Sequence, residues 1–360
     1  MTPAVVHVAS GREWRGGQRQ VWLLARELRR AGLVNQVVVT GAASELAIRL
    51  QRDSVRVHEA KWRSGIDPRV VLPILREVRA GTALVHAHDA HAVTLAGLVA
   101  LATGVPLVAT RRVDFHLRGL GLWRRAARVI AVSSAVADVL TDDGVDPVRI
   151  QVIHSGIDLD AARQAEPHGL RQQLGLGPEI QLACTVGALV PHKDHATLLH
   201  AARLLAGPFP TLHWAIAGEG ELRPVLEWLA AELGIADRVH FLGHVSQPLG
   251  VIADADVYVM SSRQEGLGTS VLDAMARGIP VASTSAGGLP EMLHEGGGIL
   301  VPPRSPDALA GAVRRLLCDP DLRQRVVTQA SRTVESFSAE RMAAEVLTMY
   351  RSCAPLLDGS

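Results

Sequence analysis

The sequence predicts an α/β protein built from two doubly wound, Rossmann-like domains facing a cleft. Three observations carry that expectation. Short β-rich apolar runs alternate with longer helical periods from end to end, the mark of βαβ crossovers and parallel sheets. The alternation pauses once, over 154–177, in a stretch rich in Gly, Asp and polar residues. The length of 360 residues gives each half enough chain for a core of its own at about 100–200 residues per domain. A composition 48% apolar and 20% charged excludes a disordered chain or a collagen. Three scattered cysteines, Cys184, Cys318 and Cys353, form no CxxC pair and fit a reduced, cytoplasmic protein. The N-terminal apolar run of five residues is too short for a signal peptide.

In the first half the expected strands are 4–8, 34–40, 55–58, 83–87, 106–110, 128–132 and 150–153, with helices at 18–31, 68–80, 90–102 and 134–142. After the pause, strands are expected at 180–186, 212–217, 239–242, 257–260 and 280–283, with helices at 196–205, 222–233 and 269–277. Helical stretches near 306–318 and 339–351 finish the chain. Residues 92–110 carry no charge, about the length of a membrane span. Gly104-Val105-Pro106 interrupts them, so a buried helix followed by a strand is the better reading.

Charge is uneven. Residues 1–160 hold 21 Lys+Arg against 15 Asp+Glu, net +6, and the other 200 hold 16 against 21, net −5. Six arginines between 111 and 128 face only Asp114. Arg111, Arg112, Arg118, Arg124 and Arg125, with Trp123 among them, suit an anionic or lipid-linked acceptor, or peripheral contact with a membrane. A solvated face over a few core leucines would read the same way. Nucleic acid is disfavoured, since aromatics are 3% and no recognition motif occurs.

The first strand runs into Gly16-Gly17 ahead of a helix, without the dinucleotide fingerprint, so a loop approached closely by phosphate is one reading and a plain turn the other. His86, His88, Asp89 and His91 gather at a strand-to-helix corner, where a structural or cleft-lining role outranks a zinc site. The chain holds two lysines, Lys61 and Lys193, against 35 arginines. Lys193 follows the strand at 180–186 through Gly187-Ala188-Leu189-Val190-Pro191-His192, where a compact ammonium suits a phosphate. After the strand at 257–260 comes Ser261-Ser262-Arg263-Gln264-Glu265-Gly266-Leu267-Gly268, opening a helix that contains Asp273. Amides at a helix N-terminus make an anion site, and carboxylates beside it accept sugar hydroxyls. Together they suggest a sugar joined to a phosphate.

Glu265, seven residues, then Asp273, with Met275-Ala276-Arg277-Gly278-Ile279-Pro280 behind, resembles the E-x7-E signature of retaining GT-B glycosyltransferases of the family 4 type. Val186–Lys193 is similar to that family's diphosphate-binding turn, and the resemblance covers essentially the whole chain. It implies a GT-B fold, with an acceptor domain at 1–165, a nucleotide-sugar domain at 166–337, and a last helix, about 338–355, packed back on the first domain.

The resemblance also implies residue roles. Glu265 contacts donor-sugar hydroxyls. Amides of Gly266, Leu267 and Gly268 hold sugar and diphosphate oxygens, with Gly16, Gly17 and Gly187 lining the donor. Asp273 binds the ribose, Lys193 the diphosphate, and the segment holding Gly243 and His244 lies against the base. Similar enzymes carry a cleft histidine in the loop after the strand at 106–110, a role for which His116 and Asp114 compete. Two departures stand out: Asp273 is one methylene shorter than the usual Glu, and Ala188 stands where an arginine is usual, leaving Arg15, Arg19 or Arg263 to replace it.

The implied reaction moves a hexose-like residue from a UDP- or GDP-sugar to an acceptor hydroxyl, with retention, in cell-surface polysaccharide, lipopolysaccharide or glycolipid synthesis. No Asp-x-Asp occurs, and neither metal nor cofactor is expected. A sugar-nucleotide epimerase and a non-catalytic nucleotide-sugar-binding protein are the alternatives. The expected place is the cytoplasm, at the inner face of the cell membrane.

Overall fold

The computed structural model describes residues 4–11, 13–63, 65–79, 81–117, 119 and 121–354. The chain forms two compact units, Met1–Ile157 with Phe337–Ser360, and Asp158–Ser336. In the first, strands β1 (Val5–Val8), β2 (Gln36–Gly41), β3 (Arg56–Ala60), β4 (Leu84–Ala87), β5 (Leu107–Arg111), β6 (Arg128–Ala131) and β7 (Ile150–Val152) make one parallel sheet in the order β3-β2-β1-β4-β5-β6-β7. In the second, β8 (Gln181–Val186), β9 (Leu212–Ala217), β10 (Val239–Gly243), β11 (Val257–Met260), β12 (Val281–Thr284) and β13 (Ile299–Val301) run parallel in the order β10-β9-β8-β11-β12-β13. In each sheet the strand order reverses once, at β1/β4 and at β8/β11. The crevice beyond the carboxyl ends of strands at such a reversal is where open α/β sheets bind ligands.

The central strands are buried on both faces, which is why their sequences read as runs of Val, Ile and Ala rather than as alternation. Polar side chains start the covering helices at defined residues. Ser44, Asp89, Ser133 and Asp158 each accept a backbone N–H in the first turn of the helix that follows. The uncharged stretch at 92–110 resolves into the helix Ala90–Thr103, closed by Gly104, and then β5. Among the described residues no helix is long and apolar enough to cross a membrane.

The division between units falls at 157/158, ahead of the 165/166 read from the sequence, because 158–170 is tied to the second unit. Its short helix Leu159–Arg163 packs on the helix Thr269–Arg277, Arg163 pairs with Glu335, and the Leu170 N–H donates to Asp254 at 3.1 Å. Strand β13 and the helix Pro320–Thr333 were not expected from the sequence, one being three residues long and the other dominated by polar residues.

The last helix, Ala339–Cys353, lies on the helix Gly16–Arg30. Met342, Ala343, Val346 and Tyr350 share a core with Leu23, Leu24 and Leu28. Gly156 makes the junction: its N–H donates to Met342 Sδ at 3.2 Å and its carbonyl accepts from Gln20 Nε2 at 2.8 Å. A Cβ there would lie 2.6 Å from Ala339 Cα. Gly156→Ala is therefore expected to lower unfolding free energy by roughly 1–3 kcal/mol through overpacking. Urea denaturation checks this, and an unchanged midpoint would show that the last helix is not seated on Gly156.

Candidate functional site

The residues singled out in the second unit converge at the reversal of its sheet. Strand β8 ends at Val186 and turns through Gly187 to the short 3₁₀ turn Pro191–Lys193, while β11 ends at Met260 and runs through 261–268 into the helix Thr269–Arg277. These two strands are neighbours, so their outgoing loops meet, and Lys193 Nζ forms an ion pair with Glu265 Oε2. Both side chains are largely but not wholly covered, at 17% and 13% exposure. Ser262 Oγ donates to the same carboxylate oxygen at 3.2 Å. Ser262 is itself fixed, since its carbonyl accepts from Thr284 Oγ1 at 2.6 Å. The Gly288 N–H donates to the Glu265 carbonyl at 3.0 Å, which joins the loop after β12 to the site.

The helix Thr269–Arg277 begins without a side-chain cap. Its N-cap, Gly268, sits at φ 94°, and a Cβ there would come within 2.7 Å of Leu289 Cδ2, so backbone conformation and space both call for glycine. Gly266, Leu267 and Gly268 are buried in the entry to this helix, beside the Lys193–Glu265 pair. Asp273 lies one turn inside and is only 2% exposed. Gly187 carries the turn to Lys193, with its N–H on the Ala217 carbonyl at 2.9 Å. Gly243 ends β10 at φ 70° and accepts from the Gly218 N–H at 2.8 Å, and His244 is exposed just beyond it.

Tyr258 and Ser270, to which the sequence analysis gave no role, and Arg263 brace these loops. Tyr258, fully buried on β11, donates to Ser270 Oγ at 2.8 Å, and Ser270 Oγ donates to the Val186 carbonyl at 3.3 Å. Burial pushes the Tyr258 phenol up, so it stays a protonated donor. Arg263 clamps the lysine turn: its N–H donates to the His192 carbonyl at 2.8 Å, its Nη2 to the Pro191 carbonyl at 2.6 Å, and its Nε lies 3.7 Å from Asp194. Of the three arginines considered as replacements at Ala188, Arg263 is the one in this unit. Arg15 pairs with Glu13 in the first unit, where Arg19 also lies.

In the first unit Gly16 and Gly17 open the helix Gly16–Arg30 with nothing within 4 Å of either missing Cβ. The fold itself therefore does not demand the glycine pair. His116 is exposed and shares a 2.8 Å hydrogen bond with Asp143, whose other oxygen accepts the Leu117 N–H. Asp114 is half-buried in the same loop.

In the arginine segment the surface role expected of Trp123 is corrected, and several of the arginines are bonded within the unit. Arg111 donates to the Phe115 carbonyl and lies over Trp123 at 5.9 Å, Arg112 donates to the His88 carbonyl at 2.5 Å, and Arg124 to the Gly144 carbonyl at 2.9 Å. Trp123 is buried at 4% exposure, so it has no surface to offer a membrane. Arg125 is exposed, and Arg118 lies outside the described residues.

The histidine corner is also rearranged. His86 and His88 meet His7 of β1, rather than His91, which is exposed. Asp89 is taken up by Ser10, whose N–H donates to it at 2.7 Å, and by the Ala92 N–H at 3.0 Å. Ligand atoms of His7, His86 and His88 lie within 4.8 Å of one another. Four of their six nitrogens are already engaged: His7 Nδ1 with His88 Nε2 at 3.0 Å, and the two of His86 with the Tyr350 hydroxyl at 2.5 Å and Thr110 Oγ1 at 2.6 Å. The Arg112 guanidinium, 3.3 Å from His88 Nδ1, opposes a further cation, so the trio reads as a hydrogen-bonded network joining β1, β4, β5 and the last helix.

Two family descriptions match the chain: residues 169–333 match "Glycosyl transferases group 1" and residues 14–161 match "Glycosyltransferase Family 4". The D-inositol 3-phosphate glycosyltransferase of Streptomyces scabiei is 32% identical over 301 residues, 74% of this chain and 67% of that protein. The protein of the same name from Streptomyces bingchenggensis is 34% identical over 241 residues, 62% of this chain and 52% of its own length. The chain thus spans between half and two thirds of the length of these curated relatives. Among solved structures, Anabaena Alr3699/HepE in complex with UDP-glucose superposes with TM-score 0.84 at 21% identity, covering 97% of this chain and 99% of that one. At that identity the likeness speaks for the fold, two Rossmann-like units of the GT-B class.

Burial lowers the His7 pKa from 6.5 to about 4 and pushes His86 and His88 well down, and His195, buried beside Lys193, also falls to about 4. The unfolded chain therefore takes up these protons first. Stability is full above pH 6.5 and falls as pH drops from 6.5 towards 4, by about 1.4 kcal/mol per pH unit per histidine. Thermal melts across that window check the sign, and a melting temperature that stays flat would contradict the buried neutral network.

Proposed function

The chain belongs to the group 1, family 4 glycosyltransferases, and we propose that it transfers a sugar from a nucleoside diphosphate sugar to an acceptor hydroxyl with retention of anomeric configuration. The observation that carries this reading is the Lys193–Glu265 pair at the mouth of an uncapped helix, at the reversal of the second sheet. One ammonium, one carboxylate and a helix N-terminus are the three groups that a sugar joined to a diphosphate calls for.

As the glycosidic bond breaks, negative charge builds on the departing diphosphate. Lys193 and the amides of Gly266–Gly268 neutralise that charge without a metal ion. Glu265 accepts hydroxyls of the donor sugar and holds it for attack from the leaving-group side. The diphosphate must draw Lys193 away from Glu265, which exchanges one anionic partner of the ammonium for another. Asp273 reaches the ribose through a water or a small shift of its helix, and Arg263 supplies the second cation that Ala188 does not. His116 and Asp114 lie on the loop assigned to the donor sugar, and Gly16-Gly17 leave room for backbone approach.

The acceptor is read as an anionic or lipid-linked glycan, in cell-surface polysaccharide, lipopolysaccharide or glycolipid synthesis at the inner face of the membrane. Two things support an anionic acceptor: residues 1–160 carry net +6, and the curated relatives are named for an inositol phosphate.

A thermal-shift panel of UDP- and GDP-sugars is expected to raise the melting temperature with one base and not the other, because a ligand bound only by the native state stabilises it. Lys193→Ala and Glu265→Gln are each expected to cut kcat/KM by about 10²–10³-fold while leaving the fold intact. Arg263→Ala is expected to raise the donor KM more than it lowers kcat. No shift with any nucleotide sugar, or full activity in the Lys193 variant, would refute the reading.

A further inference from the structure

The largest concentration of exposed apolar side chains lies outside both the arginine segment and the Lys193–Glu265 site. Of the twelve large hydrophobic residues exposed among those described, five come from one stretch of the first unit: Ile66, Leu72, Leu75, Leu98 and Leu101, between 41% and 55% exposed. They share a surface. The helix Val71–Glu77 packs beside Ala90–Thr103, the first against β1 and β2 and the second against β4 and β5. The sheet order β2-β1-β4-β5 sets the two helices side by side. The loop before the first helix joins them, since a Cβ on Gly65 would lie 3.9 Å from His91 Nε2 on the second. Leu72 and Leu75 are three residues apart, as are Leu98 and Leu101, so each pair stands on one exposed helix face.

The exposed charges of the segment that builds this face are one-sided. Between 61 and 104 the exposed charged residues are Lys61, Arg63, Arg69, Arg76 and Arg79. The acidic ones are turned inward: Asp67 is buried against Arg69, Glu77 is buried against Arg56 and His58, and Asp89 is held by Ser10. The helix Ala90–Thr103 has no Asp, Glu, Lys or Arg at all. A water-facing helix normally carries charges on its open side. Exposed leucines on a segment whose own exposed charges are all cationic are instead the composition of a surface that lies on an anionic bilayer, the leucines at the acyl boundary and the cations among the headgroups.

We infer that the face formed by Leu72, Leu75, Leu98 and Leu101, with Arg76 and Arg79 at its edge, docks the protein on a bilayer containing anionic phospholipid. This moves the membrane contact away from 111–125, where Trp123 is buried and Arg111, Arg112 and Arg124 are bonded to carbonyls. It also accounts for the uncharged run that begins at Ala92 without any helix crossing the membrane. The inference rests on the proposed reaction only for its purpose, contact with a lipid-linked acceptor, and its test reads binding rather than turnover.

The test is co-flotation of the full chain with phosphatidylglycerol-rich vesicles and with pure phosphatidylcholine vesicles. Wild-type protein is expected to float with the first and much less with the second, and to be released by about 0.5 M salt only in part, because the apolar contact is not screened. Leu98→Glu/Leu101→Glu is expected to lower vesicle binding at least about tenfold, and Arg76→Glu/Arg79→Glu about as much. Arg124→Glu/Arg125→Glu is expected to bind as wild type. Unchanged melting temperature and unchanged nucleotide-sugar shift in all three variants show that fold and donor site are intact. Wild type that ignores anionic vesicles, or a leucine pair whose replacement changes nothing, overturns the inference. So does a wild-type dimer that Leu98→Glu/Leu101→Glu turns into monomer without affecting flotation, since the face would then be a contact between copies.

Discussion

Lys193 and Glu265 lie 72 residues apart and yet form an ion pair at the edge of a parallel sheet. Their meeting depends on β8 and β11 being neighbours although two strands, β9 and β10, come between them in the chain. A doubly wound sheet creates one such place, at the reversal of its strand order, and the crevice there is bounded by the two outgoing loops. Much of the second unit serves that encounter. Tyr258 and Ser270 tie the end of β8 to the start of the helix Thr269–Arg277, Ser262 and Thr284 hold the loop bearing Glu265, and Arg263 grips the turn bearing Lys193.

The pair also shows how two opposite charges are kept in a largely covered place. A largely covered ammonium and a largely covered carboxylate are each costly alone, and breaking a buried pair by removing one partner strands the other. Each therefore shields the other, and in the proposed reaction a diphosphate and sugar hydroxyls would take over both partners. The uncapped helix start beside them adds fixed dipoles that favour an anion at no cost in reorganisation.

Much of this was legible in the sequence, for identifiable reasons. Strands such as Val257–Met260 and Leu212–Ala217 stand out because strands buried on both faces are continuous apolar runs closed by turn residues. The site loops stand out because glycines, a rare lysine and paired carboxylates are costly to keep without a use. What escaped was decided by contacts distant in sequence. Tyr258 reads as one more core residue of β11, and His7 as one more residue of β1, until neighbouring strands bring them their partners. The arginine segment misled because an arginine bonded to a carbonyl and one open to water look alike in a sequence. Conversely, Leu98 and Leu101 read as core because a helix without charge suggests burial, whereas they face outward.

The most direct test of the central claim is a crystal structure of the chain with an intact nucleoside diphosphate sugar. The account predicts the diphosphate on Lys193 and the start of the helix Thr269–Arg277, with the sugar hydroxyls on Glu265 and the ion pair between the two side chains opened. A nucleotide sugar seated away from the carboxyl ends of β8 and β11, or bound there with the Lys193–Glu265 pair still closed, would contradict it.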